Sequence, residues 1–103
     1  MAIRSSSIAT RKCSAKEIMR QIGPMTLGSC GAREFVDLGD GLRFKVGLGQ
    51  RRMQLIIKLA ADDTYVVERI RLPRGKLEYI SEAWAEDIYA ENLPGVVRRL
   101  GDV

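Results

Sequence analysis

An alternation of apolar and polar residues through residues 42–72 constrains the fold of this chain more than any other feature. Residues 42–48 alternate strictly, residues 53–59 repeat the pattern, and residues 64–72 continue it in a third run. A period of two places successive side chains on opposite sides of an extended strand. Turn-forming residues separate the runs at 49–52 and 61–63. The pattern therefore predicts an antiparallel meander of three strands.

A fourth strand is predicted from Lys76 to about Ser81, at an edge of the sheet, because neither of its faces is cleanly apolar. In the third strand, Glu68 interrupts the apolar set that includes Val66 and Ile70. We nevertheless assign that set to the buried face. The face that helices are expected to cover consists of Leu42, Phe44, Leu55, Ile57, Val66 and Ile70.

Apolar residues at helical spacing occur both before and after the alternating region. Ser14 and Glu17 have the spacing of a capping box and predict a short helix over residues 14–22. Within the Gly-rich segment that follows, residues 31–36 predict one helical turn. From Trp84 onward the apolar residues return to helical spacing, and we expect Pro94-Gly95 to kink or split this C-terminal helix.

These elements predict one α+β domain over residues 14–103, preceded by a basic N-terminal arm at residues 1–13. Its parts are a short N-terminal helix, an antiparallel meander of three or four strands, and a kinked C-terminal helix. Both helices are expected to pack on one face of the sheet. A chain of 103 residues can bury one hydrophobic core without disulfide support.

The chain contains no histidine, which excludes Ser-His-Asp and Cys-His catalysis and removes the usual general base near neutral pH. Cys13 and Cys30 do not have the spacing of a zinc site. We therefore expect no enzymatic activity, no metal and no cofactor. No apolar stretch approaches the roughly 20 residues of a membrane span, and the first 13 residues lack the apolar core of a secretory signal. A cytoplasmic protein without a membrane partner is expected.

Charge is divided along the chain. Residues 1–60 carry 11 basic and 4 acidic side chains, whereas residues 61–103 carry 6 basic and 9 acidic ones. A basic run, which consists of Arg69, Arg71, Arg74 and Lys76, comes directly before an acidic window from Glu78 to Glu91. Such a basic half is suited to nucleic acid or to an acidic protein surface, although a solvated surface of mixed charge is equally compatible with it.

If helices cover one face of the sheet, the opposite face gathers basic residues that are scattered in sequence. The candidate partner-binding or nucleic-acid-binding residues on that face are Arg43, Lys45, Lys58, Tyr65, Arg69 and Arg71. Cations that neutralise phosphates, together with an aromatic ring for base stacking, are typical of small modules that hold single-stranded nucleic acid. A solvated sheet face or a protein-binding face is the alternative.

Other features favour structural roles. The glycines around Cys30 lack the lysine of a phosphate-binding loop and indicate flexibility, and the Cys30 thiol is expected to be half-buried. Glu82, Glu86 and Asp87 are expected on the surface of the last helix, where acidic residues usually serve solvation. Trp84 is expected to anchor that helix to the sheet, or to contact a partner if it is exposed.

Several segments, taken in order and spacing over roughly residues 15–100, resemble a family of short proteins encoded by phages and prophages. Members typically carry a Met-Thr-Gly-Ala-Lys-Asn-Phe segment and a Val-Tyr-Ala-Asp-x-Leu segment near the C terminus. The corresponding segments here are Met25-Thr26 with residues 31–36, residues 42–47, residues 57–59 with residues 63–65, and residues 87–93. The resemblance implies a mobile-element setting and brings no enzymatic activity with it.

From these observations we expect a non-enzymatic binding protein of a phage or mobile element that acts stoichiometrically on a host protein or nucleoprotein in the bacterial cytoplasm. Inhibitors of host defence, such as anti-CRISPR proteins, act in this way, and the comparison with them is one of analogy. The alternative is a small nucleic-acid-binding module that uses the basic sheet face.

Overall fold

The computed structural model of the protein describes Ser5, residues 8–47 and residues 53–101. Its elements in chain order are α1 (Ala15–Ile22), α2 (Pro24–Ser29), β1 (Arg33–Asp37), β2 (Gly41–Val46), β3 (Met53–Leu59), β4 (Tyr65–Arg71), β5 (Ile80–Ile88), a 3₁₀ turn (Ala90–Asn92) and α3 (Leu93–Gly101). The five strands form one antiparallel sheet in the order β1-β2-β3-β4-β5. The predicted α+β class is confirmed. The sheet has five strands where three or four were predicted, and the strand predicted from Lys76 to about Ser81 lies instead at Ile80–Ile88. The predicted turn at 49–52 lies outside the described residues.

The hydrophobic core lies between the helices and one face of the sheet, which we call the helix face. Ile18 of α1 and Val97 of α3 are fully buried against Phe44, Leu55 and Ile57 of the central strands. Helices with one apolar stripe must bury it against another element, and the sheet provides the matching surface. The predicted packing of the helices on one side of the sheet is therefore confirmed.

Helix α1 begins where the sequence predicts, with Ser14 at the N-cap position. The Ser14 side chain makes no capping hydrogen bond. The Glu17 carboxylate contacts Arg20 at 2.9 Å and accepts a hydrogen bond from Gln21 Nε2 at 3.1 Å. The predicted capping box is thus wrong in detail although the helix is right, because Glu17 pairs along the helix surface and not with its start.

The Gly-rich segment contains α2 and β1, and the predicted helical turn at residues 31–36 is wrong. Pro24 occupies the first turn of α2, where its missing N–H is not needed. Residues 33–37 form an edge strand that pairs with β2, with Arg33 opposite Lys45 and Val36 opposite Arg43. Helical spacing over only six residues cannot outweigh pairing with a neighbouring strand.

Strand β5 occupies residues 80–88, so the expected helix from Trp84 is wrong over that stretch. Two register shifts in its pairing with β4 break the period of two. The four-residue spacing of Trp84 and Ile88 resembles that of a helix, but the shifts place Trp84 opposite Glu68 and Ile88 opposite Tyr65, on different faces of the sheet. The predicted division of the C-terminal helix is confirmed as a 3₁₀ turn joined to α3, with Pro94 in the first turn of α3.

The face assignment of β4 is also wrong, and the register of the sheet shows why. Val67 lies opposite Ile57 and Arg69 opposite Leu55, so these β4 residues share the helix face. Both alternating sets of β4 contain apolar residues, which means that periodicity alone cannot choose between them. The pairing with β3 decides the choice.

The other side of the sheet, which we call the outer face, is largely covered by the chain itself. Ile56 and Val66 on this face are only 4% exposed, and Glu68 is fully buried. The backbone N–H of Ser5 donates a hydrogen bond to the Glu68 carboxylate at 3.0 Å. Gln54 Nε2 donates to the Tyr79 hydroxyl at 2.8 Å. The part of the outer face formed by the middle of β3 and β4 is therefore a second buried layer.

The N-terminal segment is also hydrogen-bonded to the end of β3. The Arg11 N–H donates to the Leu59 carbonyl at 2.9 Å, and the Ala61 N–H donates to the Ala9 carbonyl at 3.1 Å. Thr10 forms an isolated antiparallel bridge with Ala60. These contacts hold residues 9–11 against the sheet.

Both edge strands carry β-bulges. In β1 the register shifts between Arg33 and Val36, where Glu34 has a φ of 55°. In β5 it shifts next to Asp87, which has a φ of 57°. A residue other than glycine in this left-handed region costs on the order of 1 kcal/mol or more. A bulge interrupts the regular row of free backbone groups that an edge strand would otherwise offer.

Candidate functional site

The six predicted site residues do not share one face of the sheet. Arg43, Lys45 and Lys58 belong to the outer face, where Arg43 lies opposite Ile56 and Lys45 opposite Gln54. Tyr65, Arg69 and Arg71 belong to the helix face. The predicted single basic surface is therefore wrong, because the face of β4 is the reverse of the one that the sequence suggests.

Tyr65 cannot serve as a base-stacking platform, because it is only 6% exposed and belongs to the hydrophobic core. Burial raises the pKa of its phenol above the ordinary value of 10.0, and the nearby Cys13 and Glu17 add to the rise. An aromatic ring must be accessible to stack on a nucleobase. The role of Tyr65 is thus one of packing.

Acidic neighbours already pair with most of the predicted basic residues. Lys45 contacts Glu34 at 2.9 Å, and Lys58 contacts Asp40 at 3.6 Å. The hydrogen bond and charge of Lys45 lower the pKa of the Glu34 carboxyl below its ordinary value. Within the described part of the chain, Arg43 has no ion pair. The basic residues of the outer face therefore present less positive charge than their number suggests.

Arg69 and Arg71 share a single carboxylate on the helix face. Arg71 Nε donates to Glu82 at 2.8 Å, and Arg69 Nε lies 3.5 Å from the same carboxylate. The Arg69 guanidinium also donates to the Leu100 carbonyl at 3.0 Å, in the last turn of α3. Cations near the C-terminal end of a helix stabilise its unpaired carbonyls. Arg69 thus fixes α3, whereas Arg71 stands at the end of β4.

The loop between β4 and β5 carries Leu77, which is the most exposed of the large apolar residues that the structure describes. A tight turn fixes its start: the Lys76 N–H donates to the Pro73 carbonyl at 3.1 Å, and Gly75 has a φ of 77°. This left-handed φ is the one that a type II turn requires of its third residue. Directly after the turn, the Leu77 side chain is 100% exposed.

Basic residues precede Leu77 in the chain, and the acidic Glu78 follows it. Arg74 and Lys76 are both exposed in the loop, and Arg71 precedes it at the end of β4. A shallow hollow of about 470 Å³ lies beside them, lined by Pro73, Gly75, Lys76, Leu77, Glu78 and Ile80. We call Arg71, Arg74, Lys76 and Leu77 the basic loop site. It combines an exposed apolar group with three cations on a turn that is closed by a hydrogen bond.

The opposite end of the sheet is acidic. In a meander the β1–β2 and β3–β4 turns lie at the end away from the β4–β5 loop, and they carry Asp40, Asp62 and Asp63. Asp40 accepts a hydrogen bond from Thr10 Oγ1 at 2.5 Å, and Asp63 pairs with Arg11. Hydrogen bonds from the Thr64 hydroxyl and N–H lower the pKa of Asp62. Acidic side chains are therefore concentrated at one end of the strands, and the basic loop site lies at the other end.

Leu77 has no place among the predicted site residues, because the sequence assigns it to an edge strand from Lys76. Arg74 and Lys76 are visible in the sequence as part of a basic run. No periodic pattern in the sequence predicts that a single leucine in a loop is exposed. The Pro-Arg-Gly-Lys turn is the one signal that could have indicated a loop at this position.

The remaining candidates have structural surroundings. Cys30 is buried in the core, and burial raises the pKa of its thiol above the ordinary value of 9.0. A reactive thiol requires a lowered pKa, so Cys30 lacks the environment of a nucleophile. Glu82 lies on β5 and pairs with two arginines of β4, whereas Asp87 occupies a bulge of β5. The sequence predicts both acids on the last helix, and neither lies there.

No group of three or more cysteine or acidic side chains in the described residues is placed to hold a metal ion. The helices that the structure describes include none of the length and apolarity that crossing a membrane requires. Comparison of the chain with models of protein families, with curated proteins and with solved structures gives no match. Function is therefore inferred from the surface of the molecule.

Proposed function

We propose that the protein is a non-enzymatic binding protein that attaches one-to-one to a host protein or nucleoprotein, with the basic loop site as the contact. The observation that carries this proposal is the fully exposed Leu77 directly after a hydrogen-bonded turn that carries Arg74 and Lys76. Large apolar side chains that protrude into water at the tip of a fixed loop gain most when a partner covers them.

The free energy available at Leu77 is substantial for one residue. Complete burial of a leucine side chain is worth roughly 1.5 to 3 kcal/mol, which corresponds to about 10- to 150-fold in affinity. Because the turn at Pro73 and Gly75 already fixes the backbone, little ordering of the loop opposes this gain. The hollow beside Leu77 offers room for an apolar side chain of the partner.

Arg74 and Lys76 set the chemistry of the partner, because Glu82 already pairs with Arg71. Arg71, Arg74 and Lys76 lie within six residues of one another, with the Arg71 side chain 39% exposed. Rim charges of one sign steer a partner of opposite charge and accelerate association. The partner surface should thus be an apolar pocket with an acidic border. Since the chain resembles short phage proteins, a macromolecule of the bacterial host is the partner that we propose, and an inhibitor of host defence is one such protein.

Site-specific photo-crosslinking tests this proposal in host cells that produce the protein. A photo-reactive residue at position 77 should give a discrete adduct with one macromolecule. The matched control is position 89, because Tyr89 is 61% exposed and follows the other end of β5. Identical adducts from both positions, or none from position 77, would contradict the proposal.

The purified partner then allows two quantitative checks. Leu77→Asp should weaken binding by at least about tenfold, whereas Tyr89→Asp should leave it within about threefold of the original. Titration should inhibit or occupy the partner up to one equivalent and no further. Complete inhibition of the partner by much less than one equivalent of the protein would indicate catalysis and would refute a stoichiometric role.

Direct binding of nucleic acid is the second candidate, favoured by the three cations of the basic loop site. Arginine guanidinium groups recognise phosphates well, and the affinity of such contacts falls steeply with salt. Fluorescence anisotropy with single-stranded RNA and DNA at 50 and 200 mM salt tests it. Binding at low salt that Arg71→Glu abolishes and Leu77→Asp leaves intact would favour nucleic acid over a protein partner.

A further inference from the structure

The loop that carries Leu77 is attached to the sheet at a second point, beyond the turn at Gly75. The buried Gln54 side chain donates a hydrogen bond from Nε2 to the Tyr79 hydroxyl at 2.8 Å. Gln54 belongs to β3, whereas Tyr79 comes immediately before β5, and β4 lies between these two strands. The bond therefore carries the end of the loop back across β4, on the outer face of the sheet.

Leu77 lies between the two attachments of the loop. Before it, the Lys76 N–H donates to the Pro73 carbonyl at 3.1 Å. After it, the Tyr79 hydroxyl accepts the hydrogen bond from Gln54. Only two residues separate Lys76 from Tyr79. Because the Leu77 side chain is 100% exposed, it has no packing of its own to hold it, and its backbone is held by the attachments on either side.

We propose that Tyr79 is the positioning residue of the basic loop site: its bond to Gln54 holds Leu77 in the conformation that the partner binds. This inference rests on the proposed function, because Tyr79 acts through the contact that Leu77 makes. A binding group that is already fixed loses little conformational freedom when a partner covers it. Ordering the backbone of one residue on binding lowers the affinity by about 5- to 30-fold. Loss of the bond should weaken binding by about that factor.

Two single substitutions and their combination remove the hydrogen bond in different ways. Tyr79→Phe removes the acceptor and leaves the buried Gln54 amide without it, which destabilises the domain. Gln54→Met removes the donor at nearly constant side-chain length. In the double variant both ends are apolar, so stability should return toward that of the original protein while the attachment stays absent. A purely structural role of Tyr79 predicts recovery of the double variant in every respect, whereas a positioning role predicts a mobile Leu77 in it.

NMR relaxation of the backbone amides measures the mobility of the loop without any partner. The order parameter of the Leu77 amide should be about 0.85 in the original protein, as in rigid backbone, and below about 0.6 in the variants that lack the bond. Tyr89→Phe is the matched control and should leave it unchanged, because Tyr89 is 61% exposed at the other end of β5. A mobile Leu77 in the original protein, or a rigid one in the double variant, would refute the role of Tyr79. If Tyr79→Phe does not fold, the double variant decides.

Photo-crosslinking from position 77 then connects the mobility of the loop to binding. In host cells that produce too little of the protein to saturate the partner, Tyr79→Phe and the double variant should each lower the yield of the position-77 adduct by about 5- to 30-fold. Tyr89→Phe should leave the yield unchanged. Equal yields in spite of a mobile loop would overturn the inference and leave the proposed function intact. Absence of the adduct without any second substitution would instead refute the proposed function, and with it a role of Tyr79 in binding.

Discussion

Gly41 offers the sharpest test of the strand packing, because the neighbouring strand leaves no space for a side chain there. Gly41 begins β2 and lies opposite Lys58 of β3. A Cβ atom at this position would stand less than 3.0 Å from the Ile57 carbonyl oxygen and 2.9 Å from Lys58 Cγ. Carbon and oxygen atoms require about 3.3 Å or more. Gly41→Ala therefore forces β2 and β3 apart.

The cost can be estimated from these contacts. Overpacking of a well-packed site costs typically about 1 to 3 kcal/mol, and the loss of one ladder hydrogen bond adds about 1 kcal/mol. The lower entropy of alanine in the unfolded chain returns about 0.4 to 1 kcal/mol. The net loss is roughly 1 to 3 kcal/mol. At about 4 °C per kcal/mol for a domain of this size, Tm should fall by roughly 4 to 12 °C.

Gly95→Ala is the matched control, since Gly95 lies in α3 with nothing within 4 Å of the added Cβ. Replacement of a helical glycine by alanine should stabilise the domain by about 0.5 to 1 kcal/mol. Thermal and urea unfolding of both variants should thus give changes of opposite sign. A Gly41→Ala protein within about 0.5 kcal/mol of the original would refute the close approach of β2 and β3.

Three further predictions concern the core and the titrating groups. Tyr65→Ala should lower the free energy of unfolding in urea by about 3 to 5 kcal/mol, whereas Arg43→Ala should change it by less than about 0.5 kcal/mol. Equal effects of the two substitutions would contradict the burial of Tyr65. Burial raises the pKa of the Cys30 thiol and of the Tyr65 phenol, so the contribution of these two groups to stability should be lost as pH rises through their ordinary values of 9.0 and 10.0. Cys30→Ala should reduce the slope of the urea midpoints in that alkaline range. Because the pKa of Asp62 is lowered, its carboxylate should stabilise the fold at pH values above the ordinary pKa of 3.8 and lose that contribution in more acidic solution. Asp62→Asn should therefore flatten the acidic side of the plot of stability against pH.

The three central strands could be predicted from the sequence because their alternation is long and regular. Their faces could not all be predicted. Val66 and Ile70 form one apolar pair in β4, and Tyr65 and Val67 form another, so hydrophobicity permits either orientation. The orientation depends on the pairing of Val67 with Ile57, which is a contact between distant parts of the chain.

The last strand shows a second limit of sequence patterns. Trp84 and Ile88 are four residues apart, which fits one face of a helix, but bulges in β5 place Trp84 opposite Glu68 and Ile88 opposite Tyr65, on different faces of the sheet. The candidate site was predictable to the extent that Arg71 was identified as part of a basic face. Leu77 could not be found in this way, because its exposure depends on the turn at Gly75 and on the course of the loop.

The bulges at Glu34 and Asp87 bear on how much of this protein a cell can hold. A molecule that works one-to-one must reach the concentration of its target, and sheet proteins at high concentration tend to polymerise through their open edges. Here each open edge contains a residue at a positive φ that interrupts strand addition, and each of these residues is an acid. The backbone strain at these two positions thus favours an abundant and unaggregated protein, at some expense of stability.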